Sequence, residues 1–142
     1  MGRILGVDYG ARRIGIAVAN PRGTIASPAE AIPGSGSAPG DAERVLAWAA
    51  RNDVACIVVG LPLNMDGSDS AQTRHTRAFA DALRAHGDLP VELWDERLST
   101  FQAEQFLEAA DVRRSRRKKL RDALAAQVIL QSYLDARGRS GG

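Results

Sequence analysis

The chain has 142 residues, a length that suits one domain with its own hydrophobic core and needs no disulfides or metals for folding. Its single cysteine, Cys56, lies in an apolar run, which excludes a disulfide framework and a cysteine metal site. The N-terminus has no signal-peptide pattern and no segment reaches the ~18 apolar residues of a membrane span, so we expect a soluble, cytoplasmic protein without a membrane partner.

The net charge of +2 hides a strong local asymmetry. Residues 113–121 hold seven of the nineteen basic residues, and the rest of the chain has twelve basic against seventeen acidic residues. A solvated loop is one interpretation of such a charge run, but a concentrated positive patch favours the binding of nucleic acid at one place. The candidate nucleic-acid contacts in this run are Arg113, Arg114, Arg116, Arg117, Lys118, Lys119 and Arg121.

The first third of the chain predicts strands. Residues 3–8 and 13–20 have strand patterns and are separated by a turn at Tyr9 and Gly10, so we expect a hairpin. Residues 24–32 predict a third strand. Residues 33–40 are rich in Gly, Pro and Ser, which predicts a flexible loop.

The rest of the chain alternates between helical and strand patterns. A helical period begins with Asp41 as N-cap, a continuous apolar run at 54–61 predicts a buried strand, and a second helix follows. After a strand at 90–94, Ser99 and Gln102 resemble a capping box, which predicts a third helix. We expect a last helix at 120–136 and a disordered tail at 137–142.

This order of elements predicts an α/β fold. A single domain, 1–142, would hold a five-stranded mixed sheet flanked by helices.

Acidic residues stand where the predicted strands end. Asp8 ends the first strand, Asp95 and Glu96 end the fifth, and Asp122 begins the last helix. Side chains at such strand ends converge on the crevice where these sheets bind ligands. Alternatively, isolated acids at these positions act as caps and turn formers.

A cluster of carboxylates would need cations. Their mutual repulsion is costly, and hard oxygen ligands favour Mg²⁺ or Mn²⁺. With no usable cysteine and only His75 and His86, a zinc site is a poor alternative. Two such ions can bracket a phosphodiester and promote its hydrolysis, which predicts a metal-dependent nuclease.

Four motifs resemble those of a known family. They are DYGARRIGIA at 8–17, GLPLNMDG at 60–67, DERLST at 95–100 and DALAA at 122–126, and in this order they resemble the YqgF family, also called RuvX. The resemblance implies an RNase H-like fold related to the RuvC Holliday junction resolvases. It also implies a cytoplasmic bacterial protein that trims the 5′ end of small-subunit ribosomal RNA.

The resemblance further implies that Asp8, Glu96 and Asp122 are the catalytic and metal-binding residues. Asp95 is a second candidate ligand, but neighbours on a strand point to opposite faces, so only one of Asp95 and Glu96 can face the metals without a bulge. In line with the resemblance, we expect that residue to be Glu96.

Other residues near these motifs are candidates for substrate contact. Arg12 and Arg13 can bind a phosphate or neutralise the acidic site, and Arg97 can touch substrate or pair with a nearby acid. The candidate cleft-lining residues are Tyr9, which we expect to be exposed and able to stack on a base, and Gly10, Asn64 and Asp66.

The leading interpretation is a ribonuclease acting on precursor ribosomal RNA, as a monomer or a homodimer. A DNA junction resolvase with the same chemistry would need a dimer to cut two strands symmetrically. A non-catalytic nucleic-acid-binding factor is less consistent with intact carboxylates. A sugar-kinase-like ATPase needs two large lobes, and this chain is too short for that.

Overall fold

The computed structural model describes residues 2–10, 12–98 and 114–140. Five strands form one sheet in the order β3-β2-β1-β4-β5. The strands are β1 (Arg3–Tyr9), β2 (Arg13–Ala19), β3 (Ala26–Pro33), β4 (Val54–Leu61) and β5 (Val91–Asp95). The helices are α1 (Ala38–Arg51), α2 (Ala71–His86), a 3₁₀-helix (Glu96–Leu98) and α3 (Arg114–Ser140).

The sheet is mixed, as predicted. β1 pairs antiparallel with β2, and β2 pairs antiparallel with β3. On its other side β1 pairs parallel with β4, and β4 pairs parallel with β5. The carboxyl ends of β1, β4 and β5 therefore meet at one edge of the sheet.

The first face of the sheet carries the larger core. Alternate residues of β1, β2 and β4 point to this face because the side-chain period of a strand is two. They pack against the apolar sides of α1 and α2, including Trp48, Phe79 and Leu83. Truncation of the fully buried Phe79 to alanine would cost about 3–5 kcal/mol.

The second face, called the α3 face below, is covered by α3. Small residues of the strands, including Ala17, pack there against Ala126, Leu130 and Leu134. A Cβ on Gly6 would lie 2.6 Å from Leu130 Cβ, so the helix lies directly on the strand backbone.

The start of α1 differs from the prediction. Ser37, not Asp41, is the N-cap, and its side chain accepts a hydrogen bond from Gly40 N. Pro39 fits the first turn because the N–H that it lacks would have no intrahelical acceptor. The predicted loop at 33–40 was therefore too long, since Pro33 belongs to β3 and only residues 34–37 lie between strand and helix.

Helix α3 is longer than predicted at both ends. It begins at Arg114 and continues through residues 137–140, where a disordered tail was expected. Arginine and lysine are good helix formers, and basic side chains such as Arg137 are favourable near a helix C-terminus. The helix predicted from Ser99 and Gln102 lies outside the described residues. None of the helices within the described ranges combines the length and apolar character needed to cross a membrane.

Candidate active site

Asp8, Glu96 and Asp122, called the acidic group below, come from three elements that meet at the carboxyl edge of the sheet. Asp8 is the penultimate residue of β1, Glu96 directly follows β5, and Asp122 lies in α3. The charges of Asp8 and Asp122 act on each other, and the side chains of Asp8 and Glu96 are hydrogen-bonded.

Two glycines make this convergence sterically possible. Gly15 is the cross-strand partner of Asp8, and a Cβ on Gly15 would lie 1.9 Å from the backbone oxygen of Asp122. Gly60 is on the other side of Asp8, since it follows Val59, which pairs with Val7. The bare backbone on both sides lets α3 and Glu96 approach Asp8.

Sequence analysis did not identify these two glycines as site residues. A glycine inside a strand pattern often marks a close approach of another group, and this was the signal available. The signal does not say what approaches, because α3 and Glu96 are far from both glycines in the chain.

Asp8 and Glu96 share a proton near neutral pH. Burial, followed by the charge of Asp8, raises the pKa of Glu96 to about 8. Burial is also the main cause that raises the pKa of Asp8, and the charge of Asp122 adds to it. Their hydrogen bond lowers the pKa of Asp8 and raises that of Glu96, so Glu96 holds the proton and donates it to the Asp8 carboxylate.

Asp122 is neutralised in a different way. Arg13 Nε lies 3.0 Å from Asp122 Oδ2, with the arginine side chain 48% exposed and that of the aspartate 22% exposed. The N–H of Arg13 is not aligned for a hydrogen bond, and Oδ2 is buried without a hydrogen-bond partner in the described part of the chain. The carboxylate therefore has a neighbouring cation, but its Oδ2 accepts no hydrogen bond from the described residues.

The acidic group is not a preformed metal centre. Within the described ranges, no three Asp, Glu, His or Cys side chains form a group that could hold a metal ion as they stand. The proton shared by Asp8 and Glu96 and the guanidinium of Arg13 reduce the charge repulsion instead.

Asp95 and Arg97 form a separate pair beside the acidic group. Arg97 donates to both carboxylate oxygens of Asp95, with a shortest distance of 2.7 Å from Nη2 to Oδ2. This pairing holds the pKa of Asp95 below its usual range. Arg97 Nη1 also donates to the Met65 carbonyl, so the pair ties the loop after β4 to the 3₁₀-helix that begins at Glu96.

The loop after β4 contains Asn64 and Asp66, two candidate cleft-lining residues. Asp66 accepts hydrogen bonds from the backbone and hydroxyl of Ser68, which lower its pKa, and Asn64 donates to the same hydroxyl. Gly67 completes the turn at φ +88°. These polar side chains therefore stabilise the turn that Arg97 contacts.

The expectation of an exposed Tyr9 is wrong. Tyr9 is 8% exposed, its ring stacks on Phe79 at a centroid distance of 4.2 Å, and its hydroxyl donates to Asp41 at 2.7 Å. Adjacent strand residues point to opposite faces, so Tyr9 points to the first face when Asp8 points to the α3 face. Gly10 follows in the turn, where a Cβ would lie 2.7 Å from the Arg13 carbonyl oxygen.

The predicted basic contacts fall into two sets. Arg12 is exposed beside Arg13, and Arg121 is exposed directly before Asp122. Arg113 lies outside the described residues. The side chains of Arg114, Arg116, Arg117, Lys118 and Lys119 also lie outside the described part, although their backbone belongs to α3.

The fold is that of the RNase H-like nucleases, which confirms the predicted class. RuvC of Thermus thermophilus, solved in complex with a Holliday junction substrate, aligns with a TM-score of 0.57 at 19% identity, over 97% of this chain and 96% of RuvC. The large terminase nuclease from the thermophilic phage G20c aligns with a TM-score of 0.56 at 13% identity, over 92% and 81% of the two chains.

The chain belongs to the RuvX family, whose model, described as Holliday junction resolvase, matches residues 2–136. A relative from Pelotomaculum thermopropionicum is 44% identical over 137 residues, which are 96% of this chain and 89% of the relative. A relative from Halothermothrix orenii is 43% identical over 140 residues, which are 99% of each chain. Both carry the name "Putative pre-16S rRNA nuclease".

Proposed function

We propose that this protein is a metal-dependent nuclease that hydrolyses phosphodiester bonds in RNA and matures the 5′ end of precursor 16S ribosomal RNA in the cytoplasm. The observation that carries the proposal is the hydrogen bond between Asp8 and Glu96, next to Asp122, at the carboxyl edge of the sheet. The names of the relatives, which this chain matches over 89% and 99% of their length, support RNA as the substrate.

The chemistry of the acidic group fits a hard divalent cation. All of its donors are carboxylate oxygens, the type that Mg²⁺ and Mn²⁺ prefer. Asp122 Oδ2 is a buried acceptor without a hydrogen-bond partner among the described residues, and Glu96 carries a proton that a cation would replace. Asp8, Glu96 and Asp122 would hold one or two such ions.

The protein's own groups then have distinct roles in hydrolysis. Glu96 would release its proton to solvent when a cation binds, and Arg13, half exposed, would move from Asp122 to a phosphate of the substrate. The exposed Arg12, next to Arg13 in the chain, provides a second guanidinium for the substrate. A divalent ion bound there would supply a Lewis acid that activates water and stabilises charge on the departing oxygen.

A second candidate function is symmetric cleavage of a four-way DNA junction. The description of the family model favours it, since that model matches nearly the whole chain. This activity would require a homodimer with two acidic groups facing the two cut strands. A third candidate is a binding factor without catalysis. It would use the basic residues at 113–121 to bind nucleic acid, but it gives no role to the proton shared by Asp8 and Glu96.

The test is a cleavage assay on end-labelled single-stranded RNA, single-stranded DNA and a synthetic four-way junction, with Mg²⁺, Mn²⁺ or a chelator. We expect RNA cleavage that requires the metal and is lost in Asp122→Asn. The matched control is Asp135→Asn, an exposed aspartate farther along the same helix. It should cut as the wild type does.

The other outcomes separate the candidates. Symmetric cuts in the junction, with RNA left intact, would replace the RNA assignment with the resolvase. Binding of RNA without cleavage under every metal condition would contradict the nuclease and favour the binding factor.

A further inference from the structure

A cavity of about 430 Å³ opens on the α3 face between β2, β3 and α3 at Ala123. Several of the residues around it are small, including Ala31 of β3 and Ala123 of α3, so their side chains leave the space open. Its lining includes Arg12, Arg13, Pro28, Ala31, Pro33 and Ala123.

The cavity adjoins the acidic group. Arg13 belongs to both, since it lines the cavity and its Nε lies 3.0 Å from Asp122 Oδ2. Ala123, on the opposite wall, directly follows Asp122 in α3. A nucleic-acid strand with one phosphate at the acidic group would therefore place a neighbouring nucleotide at this opening.

The lining combines the two kinds of surface that a nucleotide needs. Proline and alanine side chains form apolar walls for a base, and the guanidiniums of Arg12 and Arg13 can bind its phosphate.

The size of the cavity limits what can enter. Its volume lies near the lower end of the ~300–1,000 Å³ that small-molecule pockets span, which suits one nucleotide and excludes a base pair. A base can enter only when it is unpaired and turned out of its stack.

We propose that this cavity binds one unpaired nucleotide next to the scissile phosphate, so the protein cuts RNA that is single-stranded at the cleavage point. The proposal rests on the proposed function, because it takes the acidic group as the place where the phosphate is cut. It adds a substrate requirement that the acidic group does not itself impose.

Two variants change the cavity by different means. Ala31→Leu fills it, and Arg12→Gln removes a phosphate contact at its rim. The matched controls are Ala85→Leu, at an exposed position of α2, and Arg22→Gln, at an exposed position in the turn before β3. Because Arg12 is exposed, its variant is expected to fold even if Ala31→Leu does not.

The first readout is binding without cleavage. Short single-stranded RNAs carrying the fluorescent base 2-aminopurine at each position in turn are titrated with the protein in a chelator. We expect a change in emission at one position, lost in Ala31→Leu, with affinity about tenfold weaker in both cavity variants and unchanged in both controls. Equal binding by the wild type and both cavity variants would overturn the proposal.

The second readout is cleavage of a mapped RNA in which the nucleotide on either side of the cut is made abasic or is paired with a complementary strand. We expect pairing, or loss of the base on one side, to slow the wild type about tenfold, and loss of the base to matter little in Ala31→Leu. Equal rates on single-stranded and paired RNA would overturn the subsite but leave the nuclease assignment intact. If no RNA is cut, the proposed function fails, and the binding readout alone decides whether the cavity takes a nucleotide.

Discussion

Glu96 fills the space that a side chain on Gly60 would need. A Cβ built on Gly60 would lie 2.8 Å from Glu96 Oε1, 3.0 Å from Glu96 Cγ and 2.5 Å from Ile129 Cδ1. The carboxyl group of Glu96 is therefore held against the backbone of β4 at Gly60. Its position depends on the absence of a side chain on Gly60.

We expect Gly60→Ala to abolish most of the activity while the protein still folds. The added methyl group overpacks the contact with Ile129, at a cost of about 1–3 kcal/mol in the free energy of unfolding. It also displaces Glu96, and a shift of about 1 Å at a catalytic group can lower kcat about 100-fold. Denaturant unfolding and RNA cleavage measure the two effects.

The matched control for this substitution is Gly138→Ala. Gly138 is an exposed helical glycine with open space at its Cβ position, so alanine should stabilise the helix by about 0.5–1 kcal/mol and leave cleavage unchanged. Full activity in Gly60→Ala would contradict the role given to this contact.

The metal-free protein should become less stable as the pH rises through the neutral range. Unfolded Glu96 ionises near its ordinary pKa of 4.5, whereas folded Glu96 keeps its proton up to about pH 8. Between these values the folded state binds more protons than the unfolded state, so the free energy of unfolding falls as the pH rises. The raised pKa of Asp8 acts in the same direction.

Urea unfolding in a chelator, at about pH 5 and about pH 8, measures this loss. Glu96→Gln should remove the part of the pH dependence that Glu96 contributes and leave the part that comes from Asp8. Asp95→Asn serves as the contrast, because the pKa of Asp95 is lowered by Arg97 and its contribution is the same at both pH values. Wild-type stability that rises over this range would show that Glu96 is not protonated in the folded state.

Arg13 should compete with a divalent cation for Asp122. Arg13→Gln removes the neighbouring cation, so we expect a loss of about 1 kcal/mol without metal, kept small by the partial exposure of the pair. The rise in melting temperature caused by Mn²⁺ should then be larger than in the wild type. Arg12→Gln, at the exposed neighbouring position, is the control, and an equal Mn²⁺ response in all three proteins would contradict the competition.

Arg97 and Arg12 should differ in how they affect RNA binding. The guanidinium of Arg97 is occupied by Asp95 and the Met65 carbonyl, so Arg97→Gln should leave the salt dependence of binding unchanged and speed amide exchange in the loop after β4. Arg12→Gln should reduce the slope of log affinity against log salt by about one. A reduced slope in Arg97→Gln would contradict this prediction and show that Arg97 contacts a phosphate.

Much of the fold follows from local patterns in the sequence. The strand periods around Asp8 and the apolar run of β4 predicted the sheet, because strands buried on one face or on both leave different patterns. The same patterns placed Asp8 and Glu96 at strand ends. Alternation also implied that Tyr9 must point away from the face that Asp8 occupies, although we expected it to be exposed.

The remainder depends on contacts between distant segments. Asp41 resembles an N-cap locally, but its carboxylate is buried where it accepts hydrogen bonds from Tyr9 and Ser35, and Ser37 caps the helix instead. The pairing of Arg13 with Asp122 joins β2 to α3 across more than a hundred residues of chain. No local pattern encodes such a pair, because it forms only when the helix packs on the sheet.

The most direct test of the acidic group is the metal-dependent cleavage rate of one single-stranded RNA by Asp8→Asn, measured beside the wild type and Asp88→Asn, an exposed aspartate remote from the site. Asp8 is hydrogen-bonded to Glu96 and is repelled by the charge of Asp122, so it interacts with both other members of the acidic group. Asparagine keeps the shape of the aspartate side chain and removes its charge. We predict that Asp8→Asn binds the RNA and does not cut it, while Asp88→Asn cuts at the wild-type rate. Cleavage by Asp8→Asn at the wild-type rate would contradict the assignment of Asp8, Glu96 and Asp122 as the active site.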